Sequence, residues 1–418
     1  MIFPQLPFWI AYPIIFIGFF MSFFYIFVML KREPEKPECS SFPEAAFIIP
    51  AKNVQATLEK CVKSVMEQDY DNKIEVIIVN DASTDNTLKI AHELAKKYNS
   101  KNRQIIILNR EKSTGKKASA VNYALKYFFS RKNHAEYVSV LDADTFLVTK
   151  NVLKNAVPYF QDRKVMAVTS WMKPYNENRF LGRMQKVEYL MSSFFRYLLG
   201  KINALCLAPA FTLFRADFFK KAGYFNEKTL TEDFEMALRI RSYNYSIIFL
   251  DQKIKTVVHE DLKGLRKERV RWWHGTFQNM IDYRRLMSPK YGMVGTFFLP
   301  VTVLLGIIIM LAGLLIILYG TFLGATNFIH YWILGGRPRF DFNFNLFNLT
   351  LSLSDPKIIL CVIAFLVSVL FFVFTLRKAK EKISLWDYLL FVFAYSWLLL
   401  WFCLEAVAKY IFKSKVSW

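Results

Sequence analysis

Four short apolar runs separated by helical periodicity constrain the fold of this chain more than any other feature. Ala45–Ile49, Ile74–Val79, Gln104–Leu108 and Tyr137–Asp142 are rich in β-branched and other apolar residues, the pattern of strands buried on both faces of a parallel sheet. Between them, Val54–Gln68 places Leu58, Val62 and Val65 on one helical face, and Asn80–Thr87 is a cap-rich loop opening a helix through Tyr98. Lys116–Phe129 has the pattern of a third helix. This βαβαβαβ series predicts a parallel sheet with helices on both faces.

Ligands of such sheets sit where the chain leaves the carboxyl ends of the strands. The run Tyr137–Leu141 ends there in Asp142-Ala143-Asp144. Two carboxylates one residue apart suit Mg²⁺ or Mn²⁺ shared with a substrate phosphate, and they equally suit a turn or helix cap. Asp81 ends the second strand, so it faces the same crevice; it either accepts hydrogen bonds from a base or ribose or caps the next helix. Gly115-Lys116-Lys117 opens the third helix, where N–H groups and an ammonium favour a phosphate, or where lysines are simply solvated.

The apolar residues outside this region gather at the two ends. Trp9–Leu30 is long enough to cross a bilayer, for which about 20 residues are needed. The basic pair Lys31-Arg32 follows it, the order of a retained anchor rather than a removed leader. Val294–Leu323, Ile358–Leu376 and Tyr388–Leu404 are further spanning candidates. With four spans, Lys31-Arg32, Arg284–Lys290 and Arg377–Lys382 fall on one side, which is then cytoplasmic. The segment 324–356 is then external; within it Phe340–Leu346 alternates like a strand and Asn348-Leu349-Thr350 forms a glycosylation acceptor pattern. The net charge of +21 fits an anionic leaflet and phosphate-bearing substrates. Its basic residues are dispersed or juxtamembrane and form no nucleic-acid motif, so no nucleic acid is expected. The five cysteines lack metal-ligand spacing and read as reduced thiols.

Several segments in order resemble one family. Ile48-Ile49-Pro50-Ala51-Lys52-Asn53, Val79–Asp85, Gly115–Ala118 and Leu141–Asp144 look like the nucleotide-sugar motifs of family 2 glycosyltransferases. The resemblance continues through Leu181–Tyr189, Phe211–Arg215, Thr231-Glu232-Asp233 and Glu268–Trp272. In layout it is nearest to the membrane-bound synthases of hyaluronan, poly-N-acetylglucosamine, chitin and cellulose. It implies a GT-A-type α/β domain, with a mixed, mostly parallel sheet, inserted between transmembrane helices.

The resemblance further implies an inverting transfer from a UDP- or GDP-sugar to an acceptor hydroxyl, with Mg²⁺ or Mn²⁺ on Asp142 and Asp144. Asp233, beside Glu232, matches the catalytic base. Pro50, Asn53, Asp81, Lys116, Lys117, Asp142 and Arg271 would contact the donor, and Trp272, Glu268 and Arg269 the acceptor. Residue types leave other roles open: Thr231-Glu232-Asp233 suits a cap on a helix Phe234–Ser242, and Arg271-Trp272-Trp273 suits a membrane-surface anchor. The chain departs from the family pattern at Val54, where an acid is common, and at Glu268, where processive synthases carry glutamine. An ionised glutamate only accepts hydrogen bonds and repels phosphate, which weighs against processivity.

The expected organisation is an anchor over 1–32, a linker over 33–43, a cytoplasmic glycosyltransferase domain over 44–273, an amphipathic interfacial segment over 274–293 and a membrane domain over 294–418. The product is a polysaccharide or glycan; the alternative is a single sugar placed on a polyprenyl-phosphate, lipid-linked glycan or membrane lipid. A nonenzymatic nucleotide-sugar receptor would lack the base or metal acids, and both are present. Few spans are available to enclose a polymer passage, so a homodimer or an accessory membrane subunit is the expected partner.

Overall fold

A computed structural model describes residues 20–334 and 356–414, apart from 22, 34 and 40, together with 416. The described chain divides into two units, one formed by 33–299 with 382–418 and the other by 1–32 with 300–381.

The first unit is built on an eight-stranded sheet of order β3-β2-β1-β4-β7-β6-β8-β5. Its leading strands are β1 (Ala45–Ala51), β2 (Ile74–Asp81), β3 (Arg103–Arg110) and β4 (Tyr137–Leu141). They pair in parallel and alternate with α1 (Leu58–Met66), α2 (Thr87–Tyr98) and α3 (Lys117–Ser130). Phe47, Ile49 and Ala51 of β1 share a core with Leu58, Val62 and Val65 of α1 and Leu94 of α2. The alternate residues Ala46 and Ile48 are buried as well, and α3 packs against β1 and β2. Pleating sends alternate side chains to opposite faces, so both faces are covered.

The second half of the sheet is mixed. β5 (Thr145–Leu147), β6 (Val165–Pro174), β7 (Phe211–Arg215) and β8 (Ser246–Thr256) add to it, with β7 antiparallel to β4 and β6, and β5 antiparallel to β8. The long helices of this half are α4 (Phe180–Lys201), α5 (Glu232–Ser242) and α6 (Leu262–Asp282), beside two short ones, Val152–Ala156 and Asp217–Ala222. α6 runs without a break through residue 273, so the expected division between a catalytic domain and an interfacial segment cuts a continuous helix. α5 starts at Glu232 rather than Phe234, which places Glu232 and Asp233 inside its first turn.

The other unit contains a helix over 23–30, α7 (Gly306–Ile333) and α8 (Pro356–Ala379). Tyr25 approaches Thr302 at 3.4 Å and the Phe371 ring at 6.5 Å between centroids. α7 continues beyond Leu323, so the start of the expected external connection is helical: Gly324–Ile333 is uncharged and extends the apolar helix. Most of the expected anchor, and the alternating and acceptor-pattern segments 340–350, lie outside the described residues.

The last apolar run belongs to the sheet unit. It forms α9 (Leu385–Ile411), among the described residues the one helix long and apolar enough to cross a membrane. Its inner side packs Tyr395, Phe402 and Ala406 against Met184 of α4 and Leu265 and Val270 of α6. Asp387 pairs with Arg183 at 3.3 Å, and Glu405 takes Arg266 at 2.6 Å.

Candidate active site

β1, β2 and β4 run parallel, so Ala51, Asp81 and Leu141 end on one edge of the sheet. Asp81 and Asp142 leave strands separated by β1, a spacing of about 10 Å, which suits the length of a nucleotide. The loops at this edge are tied together. Asn53, in the left-handed region at φ 53°, accepts from the Thr84 N–H at 2.8 Å, and its own N–H donates to Ser83 at 3.1 Å. Its side chain therefore ties the loop after β1 to the loop after β2.

Lys117 joins the acids. Its Nζ lies 2.5 Å from Asp142 at the end of β4 and 3.2 Å from Glu232 at the start of α5. Burial pulls this ammonium down, but Asp142 and Glu232 outweigh it and hold the group above its ordinary value. Glu232 is buried, while Asp233 is half-buried and accepts from the Phe234 N–H. Desolvation, then the Glu232 charge, pushes Asp233 up to about 6. Asp144 receives the Thr145 and Thr256 hydroxyls at 3.3 and 3.5 Å, and desolvation followed by the Asp142 charge pushes it up to about 7. Asp142 and Asp144 are hard carboxylates one residue apart, and a divalent cation would relieve the repulsion between them. Among the described residues no cluster of three His, Cys, Asp or Glu side chains supplies a complete metal site.

The remaining expected donor residues have partners of their own. Both Asp81 oxygens are engaged, one by Arg110 at 2.8 Å and one by the Ser113 hydroxyl at 2.5 Å, and Lys52 donates to Ser113 at 3.0 Å. Lys116 is exposed and donates to the Glu227 carbonyl at 2.8 Å. Arg271 donates to the Leu230 carbonyl at 3.0 Å, three residues before Asp233.

The expected acceptor residues divide into two kinds. Trp272 is half-buried and lies near the Tyr189 ring. Arg269 is 2% exposed, gives two bonds to Glu188 at 2.8 and 2.9 Å, bonds Glu268, and lies 4.1 Å over the Trp272 ring. Its Nε, Nη1 and Nη2 are all engaged on carboxylates, and its guanidinium covers one face of the Trp272 ring. Glu268 consequently pairs with Arg269, while Arg266 turns to Glu405. Sequence reasoning assigned no role to Glu188, Ser113, Arg110 or Thr256. Only Glu188 carried a signal, within the matching Leu181–Tyr189 segment.

Comparison with known proteins bears on this arrangement. Residues 46–223 match glycosyl transferase family 2, and residues 137–411 match glycosyl transferase family group 2. A poly-beta-1,6-N-acetyl-D-glucosamine synthase of Staphylococcus epidermidis is 30% identical over 284 residues, 64% of each chain. The Staphylococcus aureus (strain COL) protein of that description is 29% identical over 256 residues, 58% of this chain and 57% of its own. The matches thus span about three fifths of those relatives' length. In fold, the chain resembles a mannosyltransferase from Pyrobaculum calidifontis solved with GDP-Man and Mn²⁺, at a TM-score of 0.63 and 17% identity over 96% of both chains. With the ordered acids on one sheet edge and a family match covering Tyr137 through α9, this chain belongs to the family 2 glycosyltransferases and resembles their polysaccharide synthases.

Proposed function

We propose that this chain is a membrane-embedded inverting glycosyltransferase that moves an N-acetylhexosamine or hexose from a nucleotide-diphosphate sugar onto a growing glycan. The observation that carries this reading is the Lys117 bridge, which draws the Asp142–Asp144 loop and the Glu232-Asp233 turn into one site. Inverting transfer needs a base on the acceptor hydroxyl and neutralisation of the departing diphosphate, and these two loops supply both functions. Asp233 takes the acceptor proton. Asp142 and Asp144 would hold Mg²⁺ or Mn²⁺, which supplies Lewis-acid neutralisation of the diphosphate when bound. Lys117 tethers the two loops, Asp81 with Ser113 faces the nucleoside, and Trp272 offers a ring on which an acceptor sugar stacks. The similarity to the staphylococcal synthases supports UDP-N-acetylglucosamine as the first donor to try.

Membrane embedding is supported by α9. Trp386, Leu390, Phe393, Trp397 and Trp401 form an exposed stripe at three- and four-residue spacing, an apolar and aromatic face suited to lipid. α7, without Asp, Glu, Lys or Arg, belongs to the other unit. With Lys31-Arg32 and Arg377–Lys382 on the cytoplasmic side, the chain is a multi-pass protein of the cell membrane whose catalytic domain faces the cytoplasm.

A second reading, one sugar placed on a lipid-linked acceptor, draws on Glu268, whose carboxylate at the usual glutamine position is tied to Arg269. Purified protein in lipid nanodiscs, given UDP-N-acetylglucosamine or GDP-mannose with Mn²⁺ and with or without polyprenyl-phosphate, tests both. A ladder of products supports glycan synthesis, and a single lipid-soluble glycoside supports the second reading. Absence of transfer from a wider nucleotide-sugar panel would overturn both.

A further inference from the structure

The Asp233 turn is aimed by the segment Lys228–Thr231 that leads into it. Thr231 occupies the N-cap position of α5, yet its side chain makes no capping bond to that helix. Its hydroxyl meets α6 instead. Asn279, fully buried on α6, donates from Nδ2 to Thr231 Oγ1 at 2.9 Å and to the Thr231 carbonyl at 3.1 Å. Its Oδ1 accepts from the Thr229 hydroxyl at 3.0 Å. All of these side-chain bonds end on the two threonines just before the Glu232-Asp233 turn.

Asn279 is part of a longer stripe. Arg271, Gly275, Asn279 and Tyr283 follow one another at four-residue spacing, which sets them along one side of the α6 track. Arg271 reaches the Leu230 carbonyl, and Tyr283 gives its hydroxyl to Glu235 of α5. Gly275 allows the approach, because a Cβ there would come within 2.5 Å of Thr231 Oγ1. An amide buried in the last turn of a helix contributes stability only while its partners are kept, whereas an apolar side chain would fill the same space without that demand. What the amide adds is direction.

We propose that Asn279 is a positioning residue, which holds Thr229-Leu230-Thr231 in one conformation and so sets the Asp233 carboxylate against the acceptor hydroxyl. This rests on the reading of Asp233 as the base. Displacements of about 1 Å at a reacting group cost on the order of a hundredfold in rate, so loss of the tether acts on turnover more than on donor binding.

The test uses the full chain in nanodiscs, with UDP-N-acetylglucosamine and GDP-mannose as probes and Asp233→Asn as reference. Asn279→Ala and Thr231→Val each lower kcat by about tenfold or more, with donor KM held within about twofold. Thr231→Ser recovers most of what Thr231→Val loses. The double variant is no slower than Asn279→Ala, because both remove one shared contact. If Asn279→Ala fails to fold, Thr231→Val, which keeps the side chain's shape, decides. Unchanged kcat in the folded variant, or a donor KM that rises in step with the loss of kcat, overturns the proposal. Full turnover by Asp233→Asn would instead remove the base reading itself, whereas an inactive Asp233→Asn beside a fully active Asn279→Ala removes only the positioning role.

Discussion

Replacing Arg269 by methionine separates support of the site from contact with the acceptor. The guanidinium is 2% exposed, binds Glu188 through bonds of 2.8 and 2.9 Å, bonds Glu268, and covers the Trp272 ring at 4.1 Å. Methionine retains much of the volume and withdraws the charge. Glu188 keeps its bond from the Tyr395 hydroxyl at 2.8 Å but loses its cation. Removing one partner of a buried pair costs about 3–5 kcal/mol. The Glu188 and Glu268 side chains are 17% and 21% exposed, so water recovers part of this, and about 3 kcal/mol is expected, including the lost cation–π contact. For a unit of this size that lowers the thermal midpoint by roughly 5 °C. Tryptophan fluorescence during heating of the purified protein reads the midpoint, and acceptor KM is measured on the same preparation. An unchanged midpoint with a raised acceptor KM would refute the argument and return Arg269 to the acceptor surface.

Four other outcomes are expected. Lys117→Met leaves Asp142 and Glu232 without their shared cation, and kcat/KM for transfer falls by about a hundredfold or more; a loss below about threefold would show that the two loops hold together without it. If Asp233, pushed up to about 6, is the base and acts in its ionised form, kcat at saturating donor is level above that pH and falls about tenfold per pH unit below it; a profile flat down to pH 5 contradicts the assignment. Gly275→Ala drives a Cβ toward Thr231 and costs about 1–3 kcal/mol of stability by overpacking, read from the thermal midpoint. Chelation by EDTA abolishes transfer and added Mn²⁺ restores it if Asp142 and Asp144 hold the ion, as measured by donor turnover.

Much of the site was readable because its acids follow apolar strands. The positions Asp81, Asp142 and Asp144 needed only the alternation of strand and helix and the rule that parallel strands end on one edge. The expected strands fall within two residues of β1–β4, whose apolar runs are long enough to carry a period. The second half resisted the same reasoning. β5 is three residues long, and β7 enters between β4 and β6 in antiparallel sense, a pairing that depends on partners distant in the chain. Arg269 illustrates the same limit at one residue: beside Trp272 it reads as a ligand-facing cation, and only the packing of α4 and α9 over α6 buries it against Glu188.

The sequence by itself determined the first four strands and the helices between them, and with these the sheet edge on which Asp81, Asp142 and Asp144 gather, because those follow from local periodicity and backbone direction. Tertiary structure decided which polar groups meet: Lys117 with Asp142 and Glu232, Arg269 with Glu188, Asn279 with the threonines before Asp233. It also decided that α9, apolar enough to cross a membrane, would give one side to the catalytic unit. Hydropathy measures how much a side chain avoids water, and that quantity is the same against lipid as against a protein core. The choice between them is made by complementary shape and by polar anchors such as Asp387 with Arg183 and Glu405 with Arg266, which exist only once distant segments have come together.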